Sequence, residues 1–178
     1  MNDLHLLSYP KIDRNKAVEV TQYDETLQTT VQNLYHIMDD MQSLCLAAPQ
    51  VGLNQSIFVL SSSELIETQH CFINPKIIQQ ENMTPCESNC LYFGDVPVMI
   101  KRPQKIEISY FDETGTVQNM TAENSLAAIL AYQVDCLNGI LVIDHMSKLK
   151  RERFLKKRQK AMLNSHTCST ACDHEHHH

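Results

Sequence analysis

Side chains that could bind a metal ion or move a proton lie in three parts of the chain. Cys90 lies near the middle, Tyr132, Gln133 and Cys136 follow in a stretch with helical spacing, and residues 165–178 are rich in His and Cys. Residues four apart share one face of a helix, so Tyr132 and Cys136 point in the same direction with Gln133 beside them. A thiolate binds soft metal ions, whereas a Gln amide has no proton to exchange near neutral pH. This helix therefore has the spacing of a metal site but few of its usual ligands.

The elements that position these residues are predicted from hydrophobic periodicity and turn residues. A first helix is expected over about 24–42 with Asp24 as its N-cap, and strands are expected over 56–60, 71–74, 105–110 and 116–121. Residues 112–115 read as a hairpin turn. A second helix is expected over about 122–137, ending at Asn138 and Gly139, and a third begins near Ser147. The pattern indicates an α+β domain over residues 1–164, followed by a disordered tail over residues 165–178.

Composition limits the class of protein. A chain of 178 residues with 43% hydrophobic content is long enough for one packed core. It has no apolar run long enough to span a membrane and no apolar stretch behind a basic start, so neither a membrane segment nor a secretory signal is expected. Seven Cys at irregular spacing form a poor disulfide framework. We expect a cytoplasmic monomer with reduced thiols.

Three segments, in this order, resemble the signatures of the peptide deformylase family. Residues 43–52 read Ser-Leu-Cys-Leu-Ala-Ala-Pro-Gln-Val-Gly, residues 89–92 read Asn-Cys-Leu-Tyr, and residues 131–139 read Ala-Tyr-Gln-Val-Asp-Cys-Leu-Asn-Gly. The family's signatures are Gly-x-Gly-Leu-Ala-Ala-x-Gln, Glu-Gly-Cys-Leu-Ser and His-Glu-x-x-His-Leu. The resemblance covers roughly residues 4 to 162. It implies small antiparallel sheets around a central helix, followed by a C-terminal helix.

The resemblance also implies what each matching residue would do. In the family, the Cys and both His hold a metal, the helix Glu shuttles a proton, and the Gln and the backbone N–H after the Cys bind the oxyanion. Cys90, Gln50 and Leu91 keep their positions, whereas Tyr132 and Cys136 replace the two His and Gln133 replaces the Glu. We therefore expect a deformylase-like protein without ordinary deformylase activity. The alternative is an active, metal-dependent deformylase with unusual ligation through Cys90 and Cys136.

Further differences fall on the substrate cleft that the resemblance implies. Ser43 and Cys45 stand at the two Gly positions of the first signature, Asn89 stands at the Gly before Cys90, and Tyr92 stands at the Ser. Side chains at Gly positions remove conformational freedom and space. We expect a cleft narrower than the family's, lined by these residues together with Leu46 and Arg102.

Several of these residues have more than one interpretation. Cys90 and Cys136 fit a two-thiolate site for a soft ion such as Cu(I), an oxidisable pair only a few ångströms apart, or two buried small hydrophobic side chains. Gln50 either binds an oxyanion or only hydrogen-bonds to backbone. Arg102 either lines the cleft or is a surface residue before Pro103.

The C-terminal part of the chain suggests two kinds of partner. Residues 148–160 carry a net charge of +7 in a chain of net charge −6, which indicates either a helix that binds the ribosome or nascent chain, as the family's C-terminal helix does, or a solvated face. In the tail, potential ligands for Zn, Ni or Cu are His166, Cys168, Cys172, His174 and His176. A metal-binding protein acting through this tail is a third hypothesis for function, unless the tail is a cloning residue.

Overall fold

The computed structural model describes residues 5–168, apart from the side chains of residues 89–91, 94–96 and 161–168. The chain divides into two units, Met1–Val142 and Ile143–His178. The first unit contains all three segments that resemble the family's signatures.

Helix α1 (Glu25–Asp40) forms where the periodicity predicts it. The Asp24 side chain accepts a hydrogen bond from the Leu27 backbone N–H at 3.0 Å, which satisfies one of the N–H groups left free at the start of a helix. The buried face of the helix consists of Leu27, Val31, Leu34 and Met38. These residues pack into a core cluster with side chains of the first strands, among them Leu46, Ile57 and Val59.

The described strands form one antiparallel sheet in the order β1-β2-β3-β4-β5. Their bounds are β1 (Cys45–Ala47), β2 (Ile57–Leu60), β3 (His70–Cys90), β4 (Gly94–Phe111) and β5 (Val117–Glu123). The predicted α+β class is confirmed, because the described residues form both this antiparallel sheet and α-helices. Strands β3 and β4 run far beyond the short segments predicted from sequence. Their pairing is irregular near Ile73, Ile77 and Ser88.

The predicted turn at 112–115 joins β4 to β5. The Asp112 side chain accepts hydrogen bonds from the backbone N–H groups of Thr114 and Thr116 and from the Thr114 hydroxyl. Gly115 has a φ of 82°, a conformation that glycine adopts without steric cost. The pKa of Asp112 falls to about 2, mainly because the Thr114 hydroxyl donates to the ionised carboxylate.

Helix α2 (Asn124–Leu137) carries most of the third segment that resembles the family's signatures, and half of its residues are buried. It ends at Asn138, and Gly139 follows with a φ of 68°. A Cβ atom at position 139 would lie 2.1 Å from the carbonyl oxygen of Arg14, so only glycine fits there. The N-terminal segment contacts the same end of the helix, where the Ala17 N–H donates to the Leu137 carbonyl oxygen at 2.7 Å. These contacts fix the C-terminal end of α2.

The second unit contains helix α3 (Lys148–Cys168). Arg151 forms an ion pair with Asp144 at 3.1 Å near the start of this helix. The helix continues four residues past the predicted start of the tail at 165, and the rest of the tail lies outside the described residues. Between residues 5 and 168, no helix is long and apolar enough to cross a membrane.

Candidate functional site

The first signature segment forms the short strand β1 and the 3-10 helix Ala48–Val51 that follows it. Gln50 is fully buried, and its side-chain oxygen accepts the Ala47 backbone N–H at 2.8 Å. Its Nε2 atom lies 3.4 Å from the Tyr132 hydroxyl, which is long for a hydrogen bond. Both ends of the Gln50 amide therefore face groups of the chain itself, one of them backbone.

Helix α2 brings Tyr132, Gln133 and Cys136 into the interior, where all three side chains are buried. The Gln133 Nε2 atom donates to the Cys45 Sγ atom at 2.7 Å, a tight contact for an atom as large as sulfur. The Gln133 Oε1 atom is buried and accepts no hydrogen bond from the part of the chain that the structure describes. Gln133 is thus held by a residue 88 positions away in sequence.

Cys45 is a neutral thiol in this setting. Burial raises its pKa to about 11, and the hydrogen bond from Gln133 only partly offsets that increase. A thiol must lose its proton before it acts as a nucleophile or a metal ligand. Near neutral pH, Cys45 therefore serves as the acceptor for Gln133.

Ser43, two residues before β1, and Leu46, within β1, occupy different surroundings. The Ser43 hydroxyl donates to the Cys45 carbonyl oxygen at 2.8 Å. Leu46, which was expected in the cleft, is fully buried within the hydrophobic core cluster beside α1. Neighbouring residues of a strand point to opposite faces, so Leu46 supports β1 from the core side.

Arg102 on β4 is a buried residue with 4% exposure, which excludes the interpretation as a surface arginine. Its Nη1 atom lies 2.5 Å from the Asp135 Oδ2 atom on α2. The Nε and Nη2 atoms are also buried and find no hydrogen-bond partner among the described residues. This ion pair ties the helix that carries Tyr132, Gln133 and Cys136 to the sheet.

The second signature segment is described in part. Strand β3 ends at Cys90, a 3-10 helix covers Leu91–Phe93, and Tyr92 is buried with 1% exposure. The side chains of Asn89, Cys90 and Leu91 lie outside the description, so the expected proximity of Cys90 to Cys136 stays a prediction. The described residues contain no group of three or more His, Cys, Asp or Glu side chains placed to hold a metal ion. The tail candidates His166, Cys168, Cys172, His174 and His176 lie outside the described side chains.

Comparison with known proteins decides the family. The polypeptide deformylase family model matches residues 4–152. This chain belongs to the polypeptide deformylase family. A peptide deformylase from Desulfotalea psychrophila is 34% identical over 164 residues, which cover 90% of this chain and 97% of that protein. One from Brucella suis is 33% identical over 150 residues, covering 83% of this chain and 86% of that protein.

Solved structures of peptide deformylases share the fold. The Legionella pneumophila enzyme superposes with a TM-score of 0.81 at 28% identity, covering 90% of this chain and 96% of that one. The Ehrlichia chaffeensis enzyme in complex with actinonin gives a TM-score of 0.81 at 30% identity, covering 90% and 98%. The fold expected from the resemblance is therefore confirmed.

The sequence did not indicate how the predicted site residues contact one another. The pairs Cys45–Gln133 and Gln50–Tyr132 join β1 and the adjacent 3-10 helix to α2. Asp135 was noted only as part of the matching segment, yet it holds the buried Arg102. The signal in the sequence that could have revealed this pair is Asp135 itself, because an acidic residue on a buried helix needs a basic partner such as Arg102.

Proposed function

We propose that this deformylase-family protein does not catalyse ordinary deformylation of N-terminal formyl-Met. The observation that carries the proposal is the Gln133 side chain, which stands at the family's Glu position and donates to the neutral thiol of Cys45 at 2.7 Å. An amide cannot accept a proton from water and return it near neutral pH. Loss of general acid–base catalysis typically costs about 10²–10⁴-fold in rate.

The metal that the family uses does not fit the described side chains. Tyr132 stands at the position of one His ligand, and its hydroxyl faces Gln50. Cys136 at the other His position is buried on the same helix, and no described group brings together three potential ligands. Catalytic zinc sites in proteins have three protein ligands and an open position. Tyr132 and Cys136 therefore do not supply the two His ligands of the family's metal site.

A steady-state assay with a formyl-Met-Ala-Ser peptide tests the proposal. The purified protein is supplied in turn with Fe, Ni, Co and Zn, and the Legionella pneumophila enzyme serves as the positive control. We expect turnover well below about 1 s⁻¹, the lower end of ordinary enzyme rates. Turnover at or above that rate with any of these metals favours the second candidate, an active deformylase with ligation through Cys90 and Cys136.

In place of catalysis, we propose that this protein acts in the cytoplasm and binds nascent N-termini, the ribosome or a metal ion. The basic run of residues 148–160 lies on helix α3, where Lys and Arg side chains can release counterions from phosphates. Binding of full-length protein to purified ribosomes should weaken steeply as salt is raised. A variant with Lys156, Lys157 and Arg158 changed to Gln should bind more weakly, and equal binding by both proteins would reject the helix as the contact. A soft metal at the tail, such as Zn, Ni or Cu, is the further part of this proposal.

A further inference from the structure

The beginning of β3 and the turn between β4 and β5 line a cavity of about 400 Å³. Its floor consists of Cys71 and Tyr110, which are each 6% exposed, and its rim includes the exposed side chain of Gln118. None of its described lining residues belongs to the three segments that resemble the deformylase signatures. A cavity of this volume fits a small ligand or a single side chain of a partner.

This cavity carries negative charge without a cation to balance it. Asp112 and Glu113 both line it, and no Lys or Arg does so in the described part of the chain. The pKa of Glu113 is raised, mainly by burial and further by the charge of Asp112, whereas a cation beside it would lower that pKa. Burial lowers the pKa of His70, so this imidazole adds no positive charge near neutral pH.

The two carboxylates have different roles. Asp112 is occupied by its own hairpin, because it accepts hydrogen bonds from Thr114, from the Thr116 N–H and, at 2.9 Å, from the Gln118 Nε2 atom. It therefore supplies charge and little further contact. The Glu113 carboxylate accepts no hydrogen bond from the described residues and is left for a ligand.

Tyr110 is the second feature that indicates a ligand. It forms part of the cavity floor, yet its hydroxyl makes no hydrogen bond with any residue that the structure describes. The ring is held in place by Phe72, with ring centroids 4.3 Å apart. Burial is the main cause of its raised pKa, so the hydroxyl stays protonated. Since buried polar groups normally have a partner, this hydroxyl indicates one in the cavity.

We propose that this cavity binds a primary ammonium group, carried by a free alkyl diamine or by a lysine side chain. An ammonium has three N–H donors, and three acceptors line the cavity: the Glu113 carboxylate, the Tyr110 hydroxyl oxygen and the side-chain oxygen of Gln118. Gln118 is the register partner of Tyr110 on the neighbouring strand. A metal ion fits less well, because no group of three His, Cys, Asp or Glu side chains among the described residues is placed to hold one.

The test is isothermal titration calorimetry of full-length protein with two amines. The first is cadaverine, a free diamine, and the second is Nα-acetyl-lysine-N-methylamide, which presents a lysine side chain. Choline is a cation without N–H donors, and Nα-acetyl-norleucine-N-methylamide lacks the charge, so neither should bind. Binding of cadaverine alone supports a free amine as the ligand, and equal or tighter binding of the lysine compound supports a lysine side chain.

Three variants locate the binding. Glu113→Gln removes a charged partner and should weaken binding by at least about 10-fold, and Tyr110→Phe removes a neutral one and should weaken it by about 2- to 10-fold. The matched control is Glu107→Gln, which changes the net charge equally at an exposed position of β4 outside the cavity and should bind as wild type does. Neither cavity variant should lower the melting temperature, because the Tyr110 hydroxyl has no described partner and Glu113 lies near the charge of Asp112.

Three results would overturn the proposed ammonium site. They are the absence of binding by both amines up to about 10 mM, binding of choline as tight as that of the amines, and equal weakening by Glu107→Gln and Glu113→Gln. If Glu113→Gln unfolds, Tyr110→Phe decides, and an unchanged affinity of that variant rejects the site. Such binding does not depend on whether the cleft has lost deformylation, so the formate assay leaves this test unaffected.

Discussion

Replacing Asp135 by Asn should destabilise the protein through Arg102. Arg102 is 4% exposed, its Nη1 atom lies 2.5 Å from the Asp135 carboxylate, and its Nε and Nη2 atoms find no hydrogen-bond partner among the described residues. The substitution keeps the shape of the side chain but leaves a buried cation without its counter-charge. Removing one partner of a buried pair typically costs about 3–5 kcal/mol.

A comparison of two variants shows where that cost arises. The Asp135 side chain is 17% exposed, so its carboxylate keeps some access to water when Arg102 is replaced by Met. Arg102→Met should therefore cost less than Asp135→Asn. The matched surface pair is Lys105–Glu123, with atoms 3.9 Å apart and side chains 38% and 62% exposed, and Lys105→Met should cost less than about 1 kcal/mol.

Urea denaturation followed by far-UV circular dichroism measures all three variants against wild type. A loss of about 3 kcal/mol corresponds to a fall of about 6–12 °C in melting temperature for a domain of this size. If Asp135→Asn costs no more than Lys105→Met, the buried ion pair does not hold α2 to the sheet, and this explanation of the positioning of α2 is wrong.

Three further predictions concern the cleft, the tail and the hairpin. In a protein that ends at Asn164, the combined substitutions Tyr132→His, Gln133→Glu and Cys136→His should restore metal uptake. Each single substitution should do little, because metal ligands act as a set. Elemental analysis of the purified variants checks this, and a folded triple variant without metal would contradict it. Full-length protein should bind Zn or Ni with a higher stoichiometry than the version ending at Asn164. Its affinity should fall as pH falls, because thiols and imidazoles must first lose protons. Equal stoichiometry in calorimetric titrations would reject a tail site. Asp112→Asn should lower the free energy of unfolding at neutral pH. The difference from wild type should disappear as pH falls from about 3.8 toward about 2, because the lowered pKa of Asp112 contributes stability only while the carboxylate is ionised. Urea denaturation across this pH range measures the difference, and a difference that stays constant would contradict the prediction.

The helices and the hairpin turn could be predicted because their signals are local. Helix α1 has an apolar face at helical spacing and begins after Asp24, and the C-cap of α2 is followed by Gly139, the one residue type that fits against Arg14. The length of β3 could not be predicted, since residues 81–88 are mostly polar, none of them is buried, and Pro85 lies among them. In β4, buried Val98, Ile100 and Arg102 alternate with exposed residues, a period-two signal that the sequence prediction did not use. Strand β1 is three residues long and its burial does not alternate, so no period-two pattern marks it.

The site shows the same division between local and long-range information. The resemblance set Gln50 at an oxyanion-binding position and Gln133 at the position of the catalytic Glu. Both side chains are buried, and each contacts a residue from another element. Their contacts join residues 82 and 88 positions apart, and no spacing rule in a single sequence reports such pairs. Cys45 and Gln133, which the resemblance sets at a Gly and a Glu position of the family's signatures, therefore form one contact, which position-by-position comparison treats as two separate changes.

We propose that this deformylase-family protein lacks the proton transfer needed to remove a formyl group. Single-turnover release of formate, measured with protein in excess over formyl-Met-Ala-Ser and with Fe, Ni, Co or Zn supplied in turn, tests it most directly. We expect a rate at least about 10²-fold below that of the Legionella pneumophila enzyme under the same conditions, as expected for a site without its general base. A rate within about tenfold of that enzyme would contradict the proposed loss of activity, because Gln133 would then stand in a working active site.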